Sequence, residues 1–205
     1  MANETVTVIG NRIPRASFKI SDLRAALGSG LARPNLFQAE LSVKSSLLAR
    51  LALGKSLDNF KFRCERAELP GRTVATVEDA VGAGPSLKLP YDVTYNDIQL
   101  SIICAEDFAE RTLFEAWIDF IVIPAGNEGA GTLRFYNEYA QGNKLTVDQL
   151  DSKGLILCSY TMYDVYPIAL TPMSATWEEI NTYQRFGVTL AYRYYTYSSE
   201  FAFLL

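Results

Sequence analysis

The sequence predicts a mainly β chain: two packed antiparallel sheets, as a β-sandwich or barrel, flanked by one α-helix and carrying terminal extensions. Three observations carry this. The chain has 12 Tyr and 11 Phe and is 49% hydrophobic, and aromatic side chains suit a pleated, half-buried surface. Apolar residues alternate with polar ones in several separate stretches, whereas helical spacing is sustained in one. The 205 residues contain no repeat, low-complexity tract or linker, and a domain of that size buries about 70% of the surface its unfolded chain exposes. The expected organisation is a single domain over 1–205, with an N-terminal arm 1–20, a core 21–197 and a C-terminal tail 198–205.

Residues 1–17 lack helical period and read as an extended arm. Ser21 caps a short helix through Leu27 that Gly28 stops. The turn Arg33-Pro34-Asn35 opens a strand from Leu36 to Val43. From Ser45 to Leu57, Leu47, Leu48, Leu51 and Leu53 fall near helical spacing and predict a short amphipathic insertion. Phe60, Phe62 and Cys64 then alternate with Lys61, Arg63 and Glu65, which predicts a strand with one buried face. Thr73 to Val77 and Leu87 to Tyr91 predict a long hairpin with a mobile tip around Gly82-Ala83-Gly84-Pro85. Ile98 to Ala105 predicts a central strand.

Asp107 with Glu110 three residues on is an acidic capping box, and carboxylates there meet the free amides and positive end of a helix. Phe114, Trp117, Ile118 and Ile121 follow at i, i+3, i+4 and i+7, and Pro124 with Gly126 ends the run. Strands are expected again at Thr132 to Tyr139, Lys144 to Val147, Ile156 to Val165 and Arg185 to Tyr197. In the last, Phe186, Val188, Leu190, Tyr192 and Tyr194 share one face.

The remaining composition narrows the function. The net charge is −4, from 19 basic and 23 acidic residues, with no basic stripe to neutralise a phosphate backbone. There is no histidine, which removes the commonest general base and zinc ligand. Cys64, Cys104 and Cys158 are far apart and read as buried free thiols of a reducing compartment. The acid pairs Glu106-Asp107 and Glu178-Glu179 have no nucleophile or ligand set near them, and the glycines at 28, 30, 82 and 84 form no phosphate loop. No catalytic residue, metal site or cofactor is expected. No apolar run is long enough to span a bilayer, and no leader precedes the arm, so a soluble product of the cytoplasm is expected. Tyr192, Tyr194, Tyr195 and Tyr197 are expected in the core or at a subunit interface. The ending Glu200-Phe-Ala-Phe-Leu-Leu205 is an apolar tail that needs a surface to cover it.

The ordered set of marks resembles the tail tube proteins of contractile-tailed bacteriophages. It comprises Leu31-Ala-Arg-Pro-Asn-Leu-Phe37, the Phe62-Arg-Cys64 segment ending at Glu68-Leu-Pro-Gly71, the Trp117 helix and Tyr139-Ala-Gln141. Tyr163-Asp-Val-Tyr-Pro167, Trp177-Glu-Glu-Ile-Asn181 and Phe186-Gly-Val-Thr-Leu-Ala-Tyr192 complete it. The resemblance implies a structural virion protein whose hexameric rings stack into an inner tube within a sheath, with edge strands paired between subunits. It implies further copies of itself, a sheath protein, and a baseplate hub or tail terminator as partners, and DNA passing through the lumen without specific binding. The extra arm, the 45–57 insertion and the apolar tail leave a baseplate tube initiator, or a type VI secretion-like tube, as alternatives; a cytosolic enzyme on a β-barrel scaffold is the distant one. The residues expected at the assembly interface are Arg33, Pro34, Asn35, Arg72, Gly82, Gly84, Tyr91, Phe201, Phe203 and Leu204.

Overall fold

Ile98, Leu100 and Ile102 are buried while Gln99 between them faces outward, and the strand they form, Ile98–Ile103, lies inside a four-stranded antiparallel sheet as its alternation predicts. The computed structural model describes residues 20, 33–51, 60–79, 86–123, 131–177 and 182–199, with Phe62 placed by its backbone alone. The chain divides into a unit Met1–Arg33 and a unit Pro34–Leu205, and all the elements named here lie in the second. The expected arm before Phe18, the helix from Ser21, the hairpin tip, Pro124 and Gly126, the pair Glu178-Glu179 and the tail from Glu200 lie outside the described residues.

Strands β1 (Phe37–Ser42), β6 (Lys144–Leu150), β7 (Ile156–Tyr163) and β10 (Tyr194–Ser199) form a first sheet in the order β1-β6-β7-β10. Strands β2 (Cys64–Ala67), β5 (Ile98–Ile103), β9 (Arg185–Ala191) and β8 (Tyr166–Leu170) form a second, in the order β2-β5-β9-β8. All neighbours are antiparallel. Ala39, Leu41, Leu145, Val147 and Met162 of the first sheet meet Ile98, Leu100, Ile102, Val188 and Leu190 of the second in one core. Neither sheet closes on itself, so the open two-sheet form is realised.

Among the described residues, helices α1 (Ser45–Arg50), α2 (Phe60–Arg63), α3 (Ala109–Ile121) and α4 (Tyr136–Tyr139) accompany the sheets. On α3, Leu113, Phe114 and Trp117 are buried, the last two with rings stacked at 6.3 Å. The expected capping box does not close. Phe108, at φ 51°, is the N-cap; Asp107 accepts from the N–H of Ala109 at 3.3 Å, and Glu110 turns back to the N–H of Ala105 at 3.2 Å. Glu110 is buried and ion-paired with Arg63, and a buried carboxylate needs that partner more than the helix start needs its second cap.

The pairing with Arg63 also explains a correction at Phe60–Arg63, which is a helical turn and not a strand. One helical turn puts residues 60 and 63 on the same side. Phe60 then reaches Phe114, with ring centroids 6.4 Å apart, while Arg63 reaches Glu110 one turn earlier on α3. An extended strand would send the two to opposite faces. The expected strand from Thr132 to Tyr139 is corrected likewise: only Leu133 bridges to Val122, and Tyr136–Tyr139 is a turn of helix. The spacing i, i+3 lets Tyr136 and Tyr139 both pack edge-on against Tyr166, at 6.2 and 5.2 Å.

Two further expected strands break where the chain crosses between sheets. Ile156 to Val165 ends at Tyr163, and β8 begins in the other sheet at Tyr166. Arg185 to Tyr197 likewise breaks after Ala191, and β10 begins at Tyr194. The two crossings are tied together. The Arg193 N–H donates to the Tyr163 carbonyl at 3.0 Å, Arg193 pairs with Asp164 at 3.8 Å, and Tyr163 stacks on Tyr194 at 4.8 Å. The crossing shifts the phase by one residue, so Tyr195 and not Tyr194 shares the inner face with Met162.

Asn143, 1% exposed, holds this corner together. Its amide donates to the carbonyls of Tyr139 at 2.8 Å and Val165 at 3.2 Å, and its side-chain oxygen accepts from the N–H of Lys44 at 3.0 Å. Its backbone carbonyl accepts from the N–H of Asp164 at 2.9 Å. Beside it, Gly142 at φ 94° donates to Asp164 Oδ1 at 3.0 Å, a backbone conformation that favours glycine.

Candidate functional site

The first sheet ends in two strands that, among the described residues, pair on one side only: β1 and β10, six residues each. An unpaired strand edge carries a row of free amides and carbonyls and invites another chain. The sheet alternates direction through four strands, so β1 and β10 run oppositely. A second copy can therefore continue the sheet by antiparallel pairing of its β1 with this β10.

Side chains on the face away from the core lie in cross-strand rows. Glu40, Thr146, Thr161 and Thr196 form one. Gln38, Asp148, Ser159 and Ser198 form the next, in which Gln38 donates to Asp148 Oδ2 at 2.9 Å. Ser42, Lys144, Tyr163 and Tyr194 form the third, with the Lys144 ammonium 5.3 Å from the centre of the Tyr163 ring. On the inner side of β7 and β10, Tyr160, Tyr195 and Tyr197 join Tyr95 and Tyr192 in a different group, linked by ring contacts of 5.0–6.4 Å. The Tyr192 hydroxyl is buried without a partner among the described residues, and burial pushes its pKa up to about 12. The tyrosines thus divide between core and outer face.

The second region is the hairpin of β3 (Arg72–Asp79) and β4 (Leu87–Tyr95). It prolongs the pair β2–β5 outward: the Glu68 N–H donates to the Gln99 carbonyl at 3.2 Å, and Arg72 pairs with Tyr95. Nearly every residue of it is exposed. A register shift at Ala75/Thr76 leaves Tyr91 unpaired in β4 and 70% exposed. Val74 and Val93 pair on one face; beyond the bulge Val77 and Leu89 pair on the other.

Of the expected interface residues, Pro34 and Asn35 form the turn before β1, and they and Arg33 are exposed. Arg72 and Tyr91 both lie on the hairpin, Arg72 at its base opposite Tyr95 and Tyr91 at the bulge. Gly82, Gly84, Phe201, Phe203 and Leu204 lie outside the described residues. Sequence reasoning missed the edges β1 and β10 and the hydroxyl rows. For the rows a signal was present: serine and threonine occupy the polar phase of the strands at 159, 161, 196 and 198.

Chemistry elsewhere is sparse. Cys64 is buried, with its thiol pushed up to about 12 by that burial, and Cys104 and Cys158 are half-buried; all three are free. No group of His, Cys, Asp or Glu fit to hold a metal occurs among the described residues, and no described helix is long and apolar enough to cross a membrane. A groove of about 590 Å³ on the outer face of the second sheet is bounded by Glu65, Arg66 and Arg185; Glu65 there pairs with Arg185 at 3.5 Å and accepts from Tyr183 at 2.9 Å.

Comparison with known proteins places this geometry in a context. The family model described as phage tail tube protein matches residues 32–198. The tail tube protein gp19 of Enterobacteria phage T4 is 28% identical over 185 residues, covering 86% of this chain and 98% of that protein. Among solved structures, a chain of the six-fold symmetrised anti-feeding prophage baseplate aligns with a TM-score of 0.59 at 13% identity, over 83% of this chain and 97% of that one. A chain of the extended sheath-tube complex of an extracellular contractile injection system aligns with a TM-score of 0.54 at 14% identity, over 89% and 99%. At such identities the likeness is one of fold.

Proposed function

The chain belongs to the phage tail tube protein family, and from that premise we propose that it assembles head to tail into hexameric rings that stack into the inner tube of a contractile tail, the conduit for DNA ejection. The observation that carries this reading is the pair of equal, oppositely running edges of the first sheet, β1 and β10, each paired on one side only among the described residues. Head-to-tail contacts close into rings when the rotation between copies allows. Edge pairing makes the first sheet the continuous layer of the ring. Its other face is packed against the second sheet, and on this reading the hydroxyl rows turn toward the axis.

The hairpin, exposed on both sides, is the segment that reaches the next ring. An isolated two-stranded ribbon is marginal in water, and Val74, Val77, Leu89 and Val93 supply apolar area for a neighbouring copy to cover. Arg72, Tyr91 and the tip glycines Gly82 and Gly84 belong to this contact; Arg33, Pro34 and Asn35 belong to the margin of the ring contact, and Phe201, Phe203 and Leu204 to a surface covered on assembly. The sheath protein, the baseplate hub and the tail terminator are the partners beyond self. The protein is made in the host cytoplasm and resides in the virion tail, and the reading assigns it no catalysis.

Negative-stain electron microscopy of the purified chain over a concentration series, with mass photometry, tests this. Long hollow tubes are expected. Rings that never stack would favour a tube initiator at the baseplate, and a chain that stays monomeric at every concentration would overturn self-assembly.

A further inference from the structure

The two sheets differ at their edges. Backbone groups of an antiparallel strand turn alternately to its two sides, so on an edge strand those facing outward recur at every second residue. On β1 they do. The Leu150 N–H donates to the Leu36 carbonyl at 2.8 Å, and the pairs from Phe37 with Gln149 to Ser42 with Lys144 follow without a shift, so the backbones of Phe37, Ala39 and Leu41 face away from β6. On β8 the spacing fails. The Thr171 N–H donates to the Gly187 carbonyl and the Cys104 N–H to the Gln184 carbonyl, each at 2.9 Å. Gly187, Thr189 and Ala191 of β9 thus turn to β8, while Phe186, Val188 and Leu190 turn to β5. Pro167 opposite Leu190 and Leu170 opposite Val188 therefore face outward, three residues apart, because Ile168 is an extra residue in the ladder. Pro167 has no N–H to offer there. At its end β8 is closed as well: the Thr171 hydroxyl accepts from the Gly187 N–H at 2.7 Å, and the Thr171 carbonyl accepts from Arg111 at 3.4 Å. The opposite edge, β2, repeats the pattern. Cys64 opposite Ile102 and Ala67 opposite Leu100 face outward, with Glu65 as the extra residue between them.

Resting on the assembly reading above, we propose that Pro167 and the extra residues Ile168 and Glu65 seal the second sheet against strand addition, and so specify that copies join through the first sheet alone. An incoming strand offers its backbone groups at every second residue; on β8 or β2 it can meet one outward residue and then misses the next. Bulges and proline are recurrent ways of blunting an exposed edge. The excluded partner is a second copy of this chain, because an edge strand laid antiparallel on its own copy across a two-fold axis closes an isologous pair. Such a pair uses β8 twice and leaves β1 and β10 out of the contact, so it competes with head-to-tail assembly. The first sheet carries no such seal: β1 and β10 contain no proline, and each pairs with its neighbour over six residues without a shift.

The test removes the seal from the full chain. Pro167→Val combined with deletion of Ile168 restores the donor and the two-residue spacing, and keeps an apolar group where the Pro167 ring is buried. Sedimentation velocity, run below the concentration at which the unchanged chain forms tubes, is expected to show a species of twice the chain mass that the unchanged chain lacks. Hydrogen exchange over residues 166–170 is expected to slow several-fold as that species forms, and the yield of tubes at higher concentration to fall. Pro167→Val alone, which leaves the chain length intact, carries the test if the deletion does not fold; it returns the donor but not the spacing, so the same species is expected at a higher concentration. Folded variants that pair no more than the unchanged chain, with exchange over 166–170 unaltered, would overturn the proposal and leave the tube reading intact. An unchanged chain that forms no tubes would overturn the assembly reading, whereas pairing through β8 on removal of the seal would still establish what the seal excludes.

Discussion

The corner around Asn143 and the hairpin β3–β4 are opposite solutions to the same chain's needs. At the corner, the amide groups and backbone carbonyl of a side chain 1% exposed are all engaged, and two sheet crossings meet there. On the hairpin, Val74, Val77, Leu87, Leu89, Tyr91 and Val93 are each more than 40% exposed, and no described element covers them. A buried polar hub makes sense only if it fixes the fold, because leaving one such group unpaired costs about 1–3 kcal/mol. An apolar ribbon that no described element covers is a surface suited to another chain. The corner serves folding, and the assembly proposed above would cover the hairpin.

That contrast breaks most easily at the buried end. Trp117 packs on Phe114 and donates from its indole nitrogen to the Tyr139 carbonyl at 3.1 Å, the carbonyl that Asn143 also holds. Trp117→Ala is expected to lower stability by about 3–5 kcal/mol, measured by urea unfolding. Asn143→Ala, which removes little volume but leaves the Lys44 amide and the Val165 carbonyl unpaired, is expected to cost about 2–3 kcal/mol. A loss below about 0.5 kcal/mol would show that the crossings hold without it.

A smaller effect sharpens the tyrosine cluster. Burial raises the Tyr192 pKa from 10.0 to about 12, so the fold favours the neutral phenol. Its contribution is fully present below pH 10 and is lost as pH rises toward about 12, because the unfolded chain ionises first. Tyr192→Phe is expected to fall within about 1 kcal/mol of the parent at neutral pH, since the hydroxyl has no partner among the described residues to lose, and to flatten the decline of melting temperature above pH 10. An unchanged alkaline decline would place the titrating group elsewhere. The smallest effect on folding belongs to the hairpin: Val77→Asp with Leu89→Asp is expected to shift stability by no more than about 0.5 kcal/mol while preventing tubes, as read by thermal unfolding and electron microscopy of one preparation. Tubes that survive the pair would leave the hairpin without an assembly role.

Much of this was legible in the sequence, and the failures share a cause. The i, i+3, i+4 spacing of Phe114, Trp117 and Ile118 predicts α3, and the alternation of Ile98, Leu100 and Ile102 predicts a central strand, because in both the period runs long enough to decide. Phe60 to Arg63 alternates too, but over four residues a helical turn and a strand look alike, and the partner on α3 decides. Phe186 to Tyr194 alternates without interruption through a change of sheet, since both layers bury toward one core; the bend at Tyr192 and Arg193 contains no glycine or proline to mark it. The candidate site was half legible. Arg72 and Tyr91 fell on the exposed hairpin, whereas the free edges β1 and β10 depend on which strands pair, a property of topology that no local pattern encodes.

The most direct measurement is a cryo-electron microscopy map of the assembled tube at side-chain resolution. The account predicts that Tyr194–Ser199 of each copy pairs antiparallel with Phe37–Ser42 of the next, that Glu40 and Thr161 face the lumen, and that the hairpin lies against the neighbouring ring. A ring whose copies meet through the second sheet, with β1 and β10 unpaired, would contradict it.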